Sequence, residues 1–305
     1  MERRRSGGLL VLVTLLLALV VARLAAPDVT GSPVAAPFPD PPVVGQCLLQ
    51  DARAGTVELP PEAYGDCGTA HFGEVLRVYE DGAQVPRVAF GASSRPDDEA
   101  CDPALRGYVA IGQLSPGNDR GNYRTSGYEP WWPLLPGDFA LIGPDTLARN
   151  AGQHWMACVV LPRAGGPYAG TVAGVYDGGT MPAAYGTCPS DSVIGVRTVP
   201  CDGPHRFELF ATTGLTYHLD DAEQLHRSCA AFVGTASGAT VPTADGRLTV
   251  SVGVVVYDKA GYRHPGRPED VGESPGQAYC GVAAEQGAEL TGTLVGLGDA
   301  PLPVR

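Results

Sequence analysis

Apolar positions along this chain change their period three times. From Gly7 to Ala22 (GGLLVLVTLLLALVVA) no residue is charged and only Thr14 carries a hydroxyl. That run is apolar on every face and follows Arg3, Arg4 and Arg5, the pattern of a secretory signal or signal-anchor and not of a core helix. It is shorter than the roughly 20 residues of a spanning helix, but Arg23 can snorkel and Leu24 to Ala26 can extend it. No small-x-small cleavage pattern follows. Residues 1–26 are therefore expected to be an uncleaved signal-anchor, a single transmembrane helix with its arginines in the cytoplasm and the rest of the chain outside. Residues 27–42 (PDVTGSPVAAPFPDPP) hold six prolines among small residues and read as a stalk.

Beyond the stalk, alternating or β-branched runs predict strands at Phe72 to Tyr79, Trp155 to Leu161, Thr171 to Tyr176, Val193 to Val199, Phe207 to Ala211, Leu248 to Tyr257 and Leu290 to Leu297. Two stretches have helical spacing instead. Cys101, Leu105 and Tyr108 share one face, as do Leu225, Cys229 and Phe232, and Asp97 and Asp220 stand where they can cap each helix and complement its dipole. Antiparallel strands with one helix per set, punctuated by Gly and Pro, give an α+β class.

The same phrases occur twice. "VGQCLL" around Cys47 answers to Cys188, "CGTAHFGEV" (Cys67 to Val75) to "CDGPHRFEL" (Cys201 to Leu209), and "PDDEACDPALRGYV" with Cys101 to "LDDAEQLHRSCAAFV" with Cys229. "GQHWMACVV" with Cys158 answers to "GQAYCGVAA" with Cys280, and "GTVAGV" to "GTLVGL". Matched order with steadily shrinking separation predicts two tandem copies of one module, residues 43–178 and 179–305, each long enough for its own core, with a boundary in the turn-rich stretch from Val175 to Gly186.

Composition sharpens this picture in two ways. The net charge is −12, and residues 1–26 hold four of the 21 basic residues but only one of the 33 acidic ones, so the exterior part is more acidic still. Nucleic acid is excluded as a partner on that ground, as is an anionic lipid surface for the folded part. All eight cysteines follow the apolar segment, and in an exported chain an even set reads as disulfides. If bonds stay within a copy and repeat in both, three patterns remain. The order of elements favours Cys47–Cys67 with Cys101–Cys158, then Cys188–Cys201 with Cys229–Cys280, and leaves the other two open.

The repeated Cys-x3-His-x2-Glu phrase is the candidate chemistry. His71 with Glu74, and His205 with Glu208, would be a ligand pair on a helix, but in a turn running into a strand the positions i and i+3 point to opposite faces. Oxidised cysteines are not ligands, and no further ligand can be nominated, so no metal or cofactor is expected. No Gly-x-Ser-x-Gly or Ser-x-x-Lys supplies a nucleophile, so no catalytic residue is expected either. The structural expectation is that each His ring donates to a backbone carbonyl or to its Glu and pins the turn beside a disulfide.

The N-terminal segment, the stalk, Val44-Gly-x-Cys47, Cys67-x3-His71-x2-Glu74-Val75, the cysteine of an acidic helix and Gly152-Gln-x-Trp155-x2-Cys158 together resemble the septum-formation-related domain family of actinobacterial envelope proteins. Cys201, Pro204, His205 and Glu208 match its Cys…Pro-His…Glu phrase, whereas Ala70 replaces the proline in the first copy and Tyr279 the tryptophan in the second. The resemblance implies a membrane-tethered extracytoplasmic protein with envelope or division proteins as partners. It carries no catalytic residues.

Two further stretches stand apart. "SGYEPWWPLLPGD" (Ser126 to Asp138) is an insertion of the first copy, and its Trp131 and Trp132 either form an exposed binding surface or fold back over the module. "YDKAGYRHPGRPED" (Tyr257 to Asp270) reads as a solvated loop. The expectation is a non-enzymatic binding or scaffold protein of the cell membrane. The competing class is an envelope hydrolase or metal-dependent enzyme using the repeated motif.

Overall fold

The computed structural model describes residues 13–18, 20–21, 40–52, 58–85, 96–114, 130–134, 137–195, 197–215, 222–239, 246–271 and 275–305. The chain divides into two compact units, residues 1–38 and 39–305. In the first, residues 13–18 and 20–21 are helical. No helix among the described residues is long and apolar enough to cross a membrane. The rest of the expected anchor, and the stalk up to residue 39, lie outside the described residues.

The second unit is α+β with mostly antiparallel sheets. Its first half runs β1 (Cys47–Leu48), β2 (Glu58–Leu59), β3 (Tyr64–Gly65), β4 (Gly73–Tyr79), helix α1 (Pro96–Tyr108), β5 (Trp132–Pro133), β6 (Asp138–Pro144), a short helix α2 (Thr146–Asn150) and β7 (Met156–Leu161). The second half runs β8 (Cys188–Pro189), β9 (Thr198–Val199), β10 (Phe207–Leu215), helix α3 (Ala222–Ser237), β11 (Leu248–Tyr257), β12 (Arg263–Gly266) and β13 (Gly276–Ala284). One sheet has the order β2-β6-β7-β4-β1-β3 and the other β12-β11-β13-β10-β5, while β8 and β9 pair separately. The β2–β6 contact is parallel.

Helical spacing is realised as expected. Cys101 and Leu105 of α1, and Leu225, Cys229 and Phe232 of α3, are buried against the sheets. Four disulfides join Cys47–Cys67, Cys101–Cys158, Cys188–Cys201 and Cys229–Cys280, the pairing that the order of elements favours. Two of them bolt a helix to the sheet beneath it, α1 to β7 and α3 to β13.

Several sequence expectations are corrected. Thr171 to Tyr176 is coil and turn, and of Leu290 to Leu297 only Leu290 makes a β-bridge. Those apolar runs are buried, with Val172, Val175, Leu290, Leu294 and Val295 all in the core, but Gly174 (φ 61°) and Gly296 (φ 69°) take the left-handed conformation that no strand continues through. Among the described residues of the run from Val193 to Val199, only Thr198–Val199 is strand. Asp97 is the second residue of α1 and not its cap, and Asp220 lies outside the described residues. The segment expected to be a solvated loop forms the β11–β12 hairpin, turned by Asp258, whose Oδ1 accepts from the amides of Ala260 and Tyr262.

The core also differs from two independent ones. One cluster joins α1 and the sheet face beneath it to α3, β10, β11 and β13. Tyr176, Met181 and Tyr185, within the expected boundary, are buried in that shared cluster. Strand β5, from the first half, adds to the second sheet by pairing Trp132 with Thr212 and Pro133 with Ala211. A smaller cluster, including Leu48, Leu59, Val75, Ile142, Trp155 and Val159, fills the opposite face of the first sheet.

Candidate functional site

Strand β4 leaves the Cys67–His71 turn and carries Glu74 into the interior, where it is fully buried. A buried carboxylate needs donors, and four reach it. Oε2 accepts from the Tyr108 hydroxyl of α1 at 2.9 Å and from Thr171 Oγ1 at 2.6 Å. Oε1 accepts from the Tyr168 hydroxyl at 2.9 Å and from the Val172 amide at 2.9 Å. The GTVAGV turn therefore wraps its hydroxyl and amide around the carboxylate, and its Gly174 amide donates to the Tyr108 carbonyl at the end of α1 (2.8 Å). Just beyond Glu74 the β4–β7 register shifts between Val75 and Arg77, a bulge that breaks strict alternation, so that Leu76 and Tyr79, three residues apart, both enter the larger core while Val75 and Val78 both pack on the smaller.

The same arrangement recurs at Glu208, fully buried on β10. It accepts from Thr293 Oγ1 and, at 2.7 Å, from the Leu294 amide. Gly296 donates to the Ala236 carbonyl near the end of α3 (2.9 Å), and the β10–β13 register shifts between Leu209 and Ala211. Ala236 and Leu290 stand where the first half has Tyr108 and Tyr168, so two phenol donors are missing.

Burial pushes the Glu208 carboxyl up to about 7 against the pull of Thr293 and the Leu294 and Val295 amides. A raised acid is protonated in the folded chain while already ionised in the unfolded one. Its contribution to stability is therefore complete below about pH 4.5 and is lost as pH rises through about 7. The slope is about 1.4 kcal/mol per pH unit over that window, roughly 3 kcal/mol in all. Denaturant midpoints of the wild type and Glu208→Gln should diverge accordingly, the wild type losing more stability between about pH 5 and 8. Parallel profiles would refute the assignment. His205 works in the opposite direction: burial lowers its pKa, and its contribution falls away on the acid side of the ordinary histidine range.

The two histidines are placed by the backbone and not by their glutamates. His71 Nδ1 bonds the Thr69 carbonyl at 2.7 Å, and His205 Nδ1 bonds the Gly203 carbonyl at 2.8 Å. Backbone bonds then tie His71 to Tyr168 and His205 to Leu290 in both directions. The His71 ring lies edge-on to Tyr168, 4.2 Å between centroids. In both histidines Nε2 is buried and has no hydrogen-bond partner among the described residues. The potential ligand atoms of Cys47, Cys67 and His71 lie within 4.8 Å of one another, as do those of Cys188, Cys201 and His205.

The tryptophan pair is split. Trp131 is buried and its Nε1 donates to Ser228 Oγ of α3 at 2.9 Å, so this ring folds back against the other half of the chain. Trp132 is 49% exposed, and the Arg106 guanidinium lies over its ring, 5.7 Å from the ring centre. A cavity of about 350 Å³ opens elsewhere, lined by Glu58, Arg149, His154 and Trp155 among others, and none of the residues nominated from sequence lines it. Thr171, Val172, Thr293 and Leu294 are the polar partners that strand patterning misses. Their signal is the repeated Gly-Thr-x-x-Gly phrase, which fixes a turn where hydrophobicity suggests a strand.

Comparison with protein-family models, with curated proteins and with solved structures finds no match to this chain.

Proposed function

We propose that this is a membrane-tethered, extracytoplasmic protein of the cell envelope, whose two tandem disulfide-stapled modules act as a non-catalytic binding or scaffold ectodomain. The observation that carries the proposal is that the cysteines, the glutamates and the histidine Nδ1 atoms of the repeated phrase are all committed to the fold. All eight cysteines are paired, both glutamates are enclosed by internal donors, and both His Nδ1 atoms bond carbonyls. Catalysis through this phrase would need at least one of these groups to face a substrate, and none of them lines the cavity beside Glu58 and Arg149.

Module duplication is supported by equivalent contacts. Strand order β6-β7-β4 answers to β11-β13-β10, each with a helix between its first strand and its second along the chain. The Thr and amide of each Gly-Thr-x-x-Gly turn meet the matching glutamate, and each helix is bonded to the matching late strand by a disulfide. The membrane anchor at residues 1–26 and the stalk at 27–42 rest on the sequence pattern, and the connection to septum formation rests on the family resemblance.

The test uses the full chain in its own host, with a site-specific protease sequence inserted in residues 27–42. Protease added to intact cells should release residues 43–305, leaving the N-terminal piece with the membranes. A chain that resists external protease, or that fractionates with the cytosol, refutes the location. Septum spacing should change in cells lacking the chain, and unaltered septation would remove the division role.

A further inference from the structure

From the orphaned histidine beside the more exposed disulfide, we infer that Cys47, Cys67 and His71 form a redox-gated metal site. Once a small thiol reductant opens the Cys47–Cys67 bond, the two sulfurs and His71 Nε2 hold one zinc-class cation.

Three independent observations meet at this place. The potential ligand atoms of the three residues already lie within 4.8 Å of one another in the oxidised chain. His71 Nδ1 is engaged by the Thr69 carbonyl, which must be accepting, so the proton sits on Nδ1 and the lone pair on Nε2. An imidazole fixed by a carbonyl on one nitrogen and free on the other is how proteins orient metal-binding histidines. That free Nε2 is buried without a donor, in a residue of 0% exposure. An unsatisfied buried acceptor is destabilising, and neither disulfide sulfur can donate to it. A cation between the sulfurs and the ring would satisfy it.

Access distinguishes this site from its counterpart. Cys67 is partly exposed and is flanked by exposed Asp66, Gly68, Thr69 and Ala70, whereas Cys188 and Cys201 are both buried. A reductant therefore reaches the first bond before the second. The balance is simple. A dithiol delivers two electrons and two protons to Cys47 and Cys67 and becomes a cyclic disulfide, and the cation then displaces both protons from the thiols. Two thiolates and an imidazole select a borderline-soft ion of the zinc class over calcium or magnesium, and the partly open side leaves a fourth position for water. The inference goes beyond the scaffold proposal and does not depend on where in the cell the chain resides.

The full chain would be treated with dithiol under native conditions until two thiols per chain titrate, freed of reductant without oxygen, and mixed with cobalt(II) alone. The expected result is one equivalent of tetrahedral cobalt with thiolate-to-metal charge-transfer bands, displaced by zinc. His71→Ala should weaken cobalt binding roughly tenfold or more. Cys67→Ser, which keeps the histidine and one thiol, should halve the charge-transfer intensity and likewise weaken binding. Two titratable thiols without charge-transfer bands overturn the inference, as does undiminished binding by both variants. Loss of the native circular dichroism on opening that bond overturns it too, because the site requires the folded chain.

Discussion

Glu74→Ala is expected to destabilise the chain by about 3–5 kcal/mol, the range for removing one partner of a buried polar cluster. The substitution strands three buried or half-buried donors at once, the Tyr108 and Tyr168 hydroxyls and the Val172 amide, and also takes the acceptor from Thr171 Oγ1, on an exposed residue. Burial is the largest cause holding both phenols far above the usual tyrosine range and remains after the Glu74 charge is removed, so neither can ionise in compensation. Glu74→Gln keeps an acceptor for Val172 and Tyr168, and its amide faces hydroxyls of Tyr108 and Thr171 that can turn to accept. It should cost about 1–2 kcal/mol, near the value of a net hydrogen bond. Equilibrium denaturation of both variants separates the cases. An alanine variant within about 0.5 kcal/mol of wild type, the size of an ordinary surface change, would show that the carboxylate is not the anchor of this turn.

The second large effect is expected from Cys101→Ala/Cys158→Ala. That bond joins residues 57 apart, against 13 for Cys188–Cys201. Chain entropy gives about 4 kcal/mol for the longer separation and about 3 kcal/mol for the shorter. Both sulfurs of the longer bond are fully buried and hold α1 on β7, so lost packing adds to the entropic loss. Removal of Cys101–Cys158 should therefore lower the denaturant midpoint more than removal of Cys188–Cys201. The reverse order would mean that the short bond stabilises chiefly by fixing the His205 turn.

How much of this was legible depended on which force set each position. Cysteine order, helix faces and long strands such as Leu248 to Tyr257 were readable because each rests on local spacing, and β11 spans those same residues. The carboxylate turns were not. Val172 and Leu294 look like strand residues and are buried like them, but their backbone amides serve Glu74 and Glu208, partners almost a hundred residues away in sequence for Val172. Only tertiary structure supplies that bond. The shared core was hidden for a related reason. Trp131 and β5 look like an insertion of the first half, and nothing local says that their partners are Ser228, Ala211 and Thr212 of the second. At the repeated phrase, sequence could offer two acceptors for the histidine, a carbonyl or the glutamate. Strand geometry decided for the carbonyl, because Glu74 and Glu208 turn inward to meet the following loops.

The most direct test of a structural role for the phrase is peptide mapping of the full chain isolated from its host, with free thiols alkylated before digestion and no reductant added. The expected result is four internal pairs, Cys47–Cys67, Cys101–Cys158, Cys188–Cys201 and Cys229–Cys280, with no alkylated cysteine. Alkylated Cys67 or Cys201 in the chain as isolated would contradict it, by placing a free thiol within 4.8 Å of a histidine ring nitrogen where a staple should be.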